Sequence, residues 1–464
     1  MFGQNYDVLE KLNADDFIKP NSILCYGAGG AFCSVVPYMQ KCGINIVGVI
    51  DVNKTGYTEV GGQRIPIYSI QDACKKYGKD TTIIITIANA IVITQVEKKL
   101  IEAGFAEERI FDMNVWTWLT KPSNKCYCRN IGGYIQFFPS GLSKCCNVGV
   151  VDAYICEWYI EGRPIRESAY NFLEKRQYYL AKALEGCVPL YCVKCPFLTN
   201  DPQDSVQKIE EFITSDHAEC NADCVYCPDA CTMPQRRVGC STDDRFDGMV
   251  ETLGILKERE LLEKNALIQL ASGEITIIPQ KDKLFSLLDD SSGHRVEIFS
   301  NCFFYDERIE YILRTNNKAI LCCDLDAGTP ETYIKVKGFH KFYDVVSHLK
   351  RYAKSGSVRI KYIILPGIND LKEDYEGMIA ILKELELLEL QLSPEFSASR
   401  SNGRMEQRLL CYSTARFQIL LENEGIKPVL PNGFFKKEDL MLIARLSKEI
   451  QKMGADYHLE SNMR

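Results

Sequence analysis

Residues 220–227 read Cys220-Asn-Ala-Asp-Cys224-Val-Tyr-Cys227, three thiols at C-x3-C-x2-C spacing. They come just after residues 208–214, which predict a strand. Three thiolates on one short loop suit three irons of a cubane cluster, and the fourth iron then lacks a protein thiolate. An open iron is what a catalytic cluster needs, because a substrate or cofactor can chelate it. Structural zinc wants four ligands, commonly as two separated pairs, and an asymmetric triplet fits that poorly. Chance clustering is the other reading, since the chain carries 21 cysteines against 5 histidines.

Around the triplet the pattern alternates. Strands are predicted over 208–214, 266–271, 296–300, 319–324, 358–365 and 389–393, with helices between them, such as 246–264 and 305–314. Six strands separated by helices fit an open or partial (β/α) barrel, whose active site lies at the carboxyl ends of the strands. The residues after 400 look mostly helical.

The triplet, with Tyr226 just before its third cysteine, resembles the fingerprint of radical S-adenosylmethionine enzymes. The resemblance covers about 206–400. Ser272-Gly273-Glu274 is similar to the Gly-Gly-Glu motif of that family, with Ser in place of the first Gly. Ser300-Asn301 stands where the family has a Thr-Asn pair. Residues 323–327, Cys-Asp324-Leu-Asp-Ala, resemble the fourth-strand segment and are followed by Thr332-Tyr333. Residues 362–370, YIILPGIND, resemble the fifth-strand stretch.

The resemblance implies a partial (β/α)6 barrel, a [4Fe-4S] cluster on Cys220, Cys224 and Cys227, and bound S-adenosylmethionine. It assigns Glu274 to the methionine amino group, Ser300-Asn301 to the ribose neighbourhood, residues 362–370 to the adenine, and Tyr226 to packing nearby. It also implies an electron donor such as flavodoxin or ferredoxin, and an anaerobic setting. Each motif has a plainer reading: Ser272-Gly273 and Pro366-Gly367 as turns, Asp324 as a helix cap. Arg236-Arg237 reads as a solvated basic pair.

A second cysteine group precedes this core. Cys187, Cys192 and Cys195 follow Cys145-Cys146, with Cys126 and Cys128 further upstream. Four thiolates from such a set suit a second iron–sulfur cluster or a zinc site, and unligated thiols are the third reading. The stretches FFPSGLSKCC and CVPLYCVKCP resemble the auxiliary-cluster (SPASM-type) extensions of radical S-adenosylmethionine enzymes. Those extensions usually follow the core, whereas here the region precedes it. One long helix, 165–184, is predicted there. Isolated cysteines such as Cys25, Cys33, Cys42, Cys74 and Cys322 read as small apolar packing groups.

Residues 1–118 read as another α/β unit. Strands are expected over 22–26, 44–50 and 81–87, and helices over 34–41 and 94–103. Gly27-x-Gly29-Gly30 follows the first strand, and Asp51 ends the second. Glycines there let the backbone approach a pyrophosphate, and an acid further on can bind ribose hydroxyls. The third glycine of the fingerprint is replaced by Phe32. The stretch 23–70 resembles the Rossmann-like domain of nucleotide-sugar-modifying acyltransferases, which implies a nucleotide or nucleotide-sugar ligand. A structural or docking domain with an empty cleft is the alternative.

Composition bounds the rest. The chain has 464 residues, 46% hydrophobic and 25% charged, with 55 Lys plus Arg against 62 Asp plus Glu. That profile excludes a largely disordered chain, and the net charge of −7 argues against a nucleic-acid partner. The longest mostly apolar stretch, 83–93, is far short of a spanning helix. The start shows no signal peptide, so a cytoplasmic protein with reduced thiols is expected. The expected organisation is a Rossmann-like domain over 1–118, a cysteine-rich segment over 119–205, the core over 206–400 and a helical region over 401–464. A sugar or nucleotide-sugar substrate competes with a peptide or protein one. A non-catalytic iron–sulfur carrier or scaffold is the third reading, against which Glu274 and Ser300-Asn301 argue.

Overall fold

The computed structural model of the chain describes residues 23–41, 44–87, 90–112, 119–120, 125–137, 142–144, 154–157, 164–189, 195, 197–204, 206–214, 220–227, 243–271, 273–289, 293–395, 404–431 and 433–453. Cys145, Cys192 and Ser272 lie outside them, as do Cys42, Cys146 and Arg236-Arg237. The chain forms two units, Met1–Phe212 with Asp247–Glu263, and Ile213–Phe246 with Lys264–Arg464.

In the first unit the elements run β1 (Ile23–Tyr26), α1 (Gly30–Lys41), β2 (Ile46–Ile50), β3 (Gly56–Val60), β4 (Gln63–Tyr68), α2 (Ile70–Tyr77), β5 (Thr82–Ile85), α3 (Ala90–Glu102) and β6 (Ile110–Asp112). The sheet order is β3-β4-β2-β1-β5-β6. Every pair is parallel except the β3–β4 hairpin. The central strand β1, Ile-Leu-Cys-Tyr, is buried throughout, as a strand covered on both faces must be. Sequence alternation missed the hairpin. Its signal is Gly61-Gly62, with φ of 61° and 78°, the conformation a tight hairpin turn requires.

The cysteine-rich stretch holds more regular structure than expected. After β7 (Leu119–Thr120) come α4 (Arg129–Gly133), β8 (Tyr134–Phe137), β9 (Leu142–Lys144), β10 (Tyr154–Glu157), α5 (Ile165–Leu184) and β11 (Val188–Pro189). The helix α5 has the bounds its pattern predicts. The sequence predicts loop where β8, β9 and β10 form antiparallel strands. They are only three or four residues long, too short to show a period. Burial explains β8 better: Phe137 packs on Phe172 and Phe212, with ring centroids 5.8 and 5.2 Å away.

The chain continues through β12 (Ile209–Thr214), α6 (Asp243–Glu258) and β13 (Leu262–Leu270). The expected helix 246–264 therefore stops early. Glu260 adopts φ 53°, and the amides of Glu260 and Leu261 donate to the carbonyls of Lys257 and Leu256. This is a Schellman ending with Glu where Gly is usual, so no glycine signalled it.

The second unit then alternates: α7 (Lys281–Asp289), β14 (Arg295–Phe299), α8 (Glu307–Thr315), β15 (Ala319–Asp324), α9 (Pro330–Lys337), α10 (Phe342–Ser355), β16 (Ser357–Ile364), α11 (Lys372–Glu384), β17 (Glu389–Pro394), α12 (Arg404–Asn423), β18 (Lys427–Val429) and α13 (Lys437–Met453). Strands β13 to β18 pair in sequence order, all parallel. The strand β18 is an addition to the expected set. The fold is mixed α/β with a parallel-strand sheet. Among the described residues no helix is long and apolar enough to cross a membrane.

Candidate cofactor site

The cysteine loop is fastened to the end of α9. The amides of Asp223 and Val225 donate to the carbonyls of Lys337 and Val336, both at 3.0 Å. Gly338 closes α9 with φ 79°. A Cβ there would lie 2.8 Å from that of Asp223, so only glycine lets the loop come this close. Cys224 and Cys227 share one turn, the Cys227 amide donating to the Cys224 carbonyl at 3.0 Å. The Cys220 sulfur accepts from the Ala222 amide at 3.4 Å and from Asn301 Nδ2 at 3.8 Å.

Burial pushes the Cys220 thiol up to about 11, with Glu274, Cys224 and Cys227 adding to the shift. The Cys224 thiol is also raised, by burial first, with the Lys337 ammonium acting against it. The three thiols are thus close enough to feel one another's charge. Among the described residues no three His, Cys, Asp or Glu side chains converge on a single-ion site. A cubane takes one thiolate per corner, so its ligands stand farther apart than those around one ion. Three half-buried thiols on one short loop fit that donor set.

Sequence reading missed the group beneath this loop. Asp326 and Lys337 are buried and paired at 2.6 Å. Tyr226 Oη donates to Asp326 Oδ2 and accepts from Lys337 Nζ, each at 2.5 Å. Asp326 Oδ1 accepts the Ile363 amide at 2.6 Å. Asp326 itself has φ 56°, held there by Asn369, whose side chain bridges the carbonyls of Asp326 and Ile363. Burial alone would lower the Lys337 pKa, but Asp326, Cys224 and Asp324 drive it well above the ordinary lysine value. Lys337 is therefore a permanent buried cation. The only sequence signal was a lysine on the buried stripe of a short helix.

Glu274 is the second hub. It is fully buried and follows Gly273, whose φ of 62° makes the turn after β13. Glu274 Oε1 accepts from the Thr276 amide, Thr276 Oγ1 and Ser300 Oγ at 3.0, 2.7 and 2.9 Å. Its Oε2 accepts the Asn301 amide at 2.6 Å, leaving that oxygen room for another donor. Asn301 Nδ2 reaches on to Asn221 Oδ1 at 2.6 Å. The carboxylate and the cysteine loop thus belong to one hydrogen-bonded network. Burial raises the Glu274 pKa, and its donors work in the opposite direction.

Asp324 does not cap a helix; Thr329 caps α9. Asp324 Oδ2 instead pairs with Lys361 at 3.0 Å, while its Oδ1 is buried with no hydrogen-bond partner. One level down, Arg359 pairs with Glu297 at 3.3 Å, and Gln269 donates to Glu297 at 2.9 Å. These side chains alternate along their strands with buried apolar ones. One face of the parallel sheet is therefore polar, charge-paired and half-buried. A parallel sheet is ordinarily apolar on both faces, so this face suits a polar ligand.

In the first unit a cleft of about 420 Å³ is lined by Gly27, Gly29, Asp51, Thr86, Gln95 and Lys99, among others. It lies at the carboxyl ends of β1, β2 and β5, where the strand order reverses, the usual ligand position in such sheets. Gly27 has φ 96°, and a Cβ there would lie 3.0 Å from Ile87. At Gly29 nothing lies within 4 Å of an added Cβ, and Gly30 opens α1. Asp51 accepts the amides of Ala28, Asn53 and Lys54 at 2.8, 2.8 and 3.0 Å. As placed, it organises the loops that frame the cleft.

Of the upstream cysteines, the structure brings Cys126 and Cys187 together. Cys126 packs with Ala183, Val188 and Leu198, and burial, then the Cys187 charge, raises its pKa. Cys195 is half-buried, and its carbonyl accepts the Leu198 amide at 3.1 Å.

Residues 18–107 match the family model of the CoA binding domain. The first unit thus carries a Rossmann-like domain of the CoA-binding type. No curated protein matches the chain. Among solved structures, the chain is similar to Streptococcus suis SuiB bound to S-adenosylmethionine, at 13% identity and TM-score 0.37, over 57% of this chain and 56% of that one. The match thus spans little more than half of SuiB. A radical SAM methyltransferase from Sphaerobacter thermophilus matches at 16% identity and TM-score 0.34, over 46% and 63%. A mutant of spore photoproduct lyase matches at 14% and 0.30, over 51% and 72%.

Proposed function

We propose that the chain is a radical S-adenosylmethionine enzyme with Cys220, Cys224 and Cys227 as cluster ligands. The carrying observation is the network that joins the cysteine loop to a buried strand-end carboxylate through Asn301. A simple electron carrier has no use for such a carboxylate. When bound, the [4Fe-4S] cluster and S-adenosylmethionine would supply reductive cleavage to a 5′-deoxyadenosyl radical, which takes hydrogen from an unactivated C–H bond.

The chain's own residues position and shield. Glu274 would hold the methionine ammonium, with Ser300 and Asn301 fixing the carboxylate. Gly273 lets the backbone turn beside it, and Ser272 completes that motif. The Tyr226–Asp326–Lys337 group holds the loop rigid. The parallel strands form a partial barrel with Asp324 on its inner face. The paired charges there favour a hydroxyl-rich group with no net charge at that face, such as the sugar of a free sugar or of a nucleotide-sugar. A peptide substrate is the alternative, and Cys145, Cys187, Cys192 and Cys195 would then hold an auxiliary iron–sulfur cluster or zinc. The cleft at Gly27, Gly29, Gly30 and Asp51 takes a nucleotide-bearing ligand, CoA included. A cytoplasmic, oxygen-poor setting suits this chemistry.

The test is anaerobic reconstitution followed by iron and sulfide counting. The Cys220→Ala/Cys224→Ala/Cys227→Ala protein should hold about four fewer irons and four fewer sulfides than wild type. Equal counts would contradict the ligand assignment. Iron remaining in the triple variant would locate a further cluster elsewhere.

A further inference from the structure

The cysteine loop sits on the unfavourable end of a helix for a negatively charged group. The last carbonyls of α9, at Val336 and Lys337, accept the Val225 and Asp223 amides on either side of Cys224. A helix carboxyl end carries partial negative charge. The charges of Cys224 and Cys227 already weigh against ionisation of Cys220, after burial and Glu274. Each electron added to a group held by these thiolates adds one more negative charge.

A buried cation answers this at the end of the same helix. Lys337 is the last residue of α9 and is 2% exposed. Its Nζ lies 5.0 Å from the centre of the Tyr226 ring and 2.5 Å from Tyr226 Oη. Tyr226 stands between Cys224 and Cys227 in the chain. The counter-charge is Asp326, which is fully buried. The Ile363 amide holds its Oδ1, and Asn369 holds its carbonyl. The pair is thus a dipole fixed in direction. After burial, which raises the Cys224 pKa, the strongest influence on that thiol is Lys337, which lowers it, ahead of Asp326, which raises it. The positive end therefore weighs more on Cys224. Asp324, the next carboxylate along the strand, is paired with Lys361 at 3.0 Å. A buried ion pair often stabilises a fold less than an apolar pair of the same volume, so packing alone does not account for this one.

We propose that the Lys337–Asp326 pair is an oriented dipole that raises the reduction potential of a cluster held on Cys220, Cys224 and Cys227, with Lys337 as the tuning cation. The inference rests on the proposed function. The step it eases is the passage of one electron from an external one-electron reductant to the cluster, in which no bond forms or breaks. Charge, hydrogen bonding and solvent exposure around the sulfurs set the potential of such a group. A cation shielded from water acts at close to full strength, and it favours the state with the extra negative charge.

The experiment is a redox titration of the reconstituted full chain with mediator dyes, without S-adenosylmethionine, read by electron paramagnetic resonance of the reduced cluster. Lys337→Met leaves Asp326 alone and should lower the potential. At the wild-type midpoint the ratio of reduced to oxidised cluster should fall roughly tenfold, a shift of about 59 mV for one electron. Asp326→Asn leaves the cation alone and should shift the potential upward. The neutral double variant Asp326→Asn/Lys337→Met should lie below wild type and above Lys337→Met, and it decides the sign if a single variant fails to hold iron. A purely structural pair would move no potential, or move both single variants the same way, and either result would overturn the proposal. So would a double variant at or above the wild-type potential. A wild type that takes up no cluster would overturn the ligand assignment of the proposed function, and this inference with it.

Discussion

Lys337→Met should lower the stability of the second unit by about 3–5 kcal/mol, the cost of stranding one partner of a buried ion pair. Asp326 has no exposure to water. Its Oδ2 would keep only the Tyr226 hydroxyl as a partner. The double variant Asp326→Asn/Lys337→Met removes both charges and should recover most of the loss, because a matched neutral pair avoids the desolvation cost. Urea titration followed by circular dichroism checks both. A single variant as stable as wild type would show that the pair is not buried as described. The cysteine loop should loosen too, since Tyr226 loses the cation that fixes its hydroxyl.

Glu274→Ala should cost about 3 kcal/mol or more and weaken S-adenosylmethionine binding. The Thr276 amide, the Thr276 and Ser300 hydroxyls and the Asn301 amide all donate to this carboxylate. Each buried donor left unsatisfied costs about 1–3 kcal/mol. Glu274→Gln separates the two effects. It keeps the shape and an acceptor oxygen, but it loses the charge that an ammonium group needs. It should therefore fold better than the alanine variant while still binding S-adenosylmethionine roughly tenfold or more weakly. Urea titration and equilibrium dialysis on the reconstituted proteins give the two readouts. Wild-type affinity in the glutamine variant would remove Glu274 from the amino-group site.

The parallel strands of the second unit were legible because each is a short apolar run between amphipathic helices. The strand Ala319–Asp324 and the helix Ile165–Leu184 fall where their patterns place them. Glu274, Ser300 and Asn301 were legible as strand-end residues, and the structure joins them in one network. Lys337 was not. It sits in the last turn of a helix, where lysine is ordinarily a surface residue, and only tertiary contact buries it. The end of α6 was hidden for the opposite reason: Glu260 takes a left-handed conformation without a glycine to announce it. The strand β8 is set by packing of Phe137 against Phe172 and Phe212 rather than by any period of its own.

The most direct test of the account is 5′-deoxyadenosine itself. Anaerobically reconstituted wild type and Cys220→Ala/Cys224→Ala/Cys227→Ala are incubated with dithionite and S-adenosylmethionine, and the product is quantified by chromatography. The account predicts 5′-deoxyadenosine from wild type and none from the triple variant. A wild type that carries its full iron and sulfide yet forms no 5′-deoxyadenosine, or a triple variant that forms as much, would contradict it.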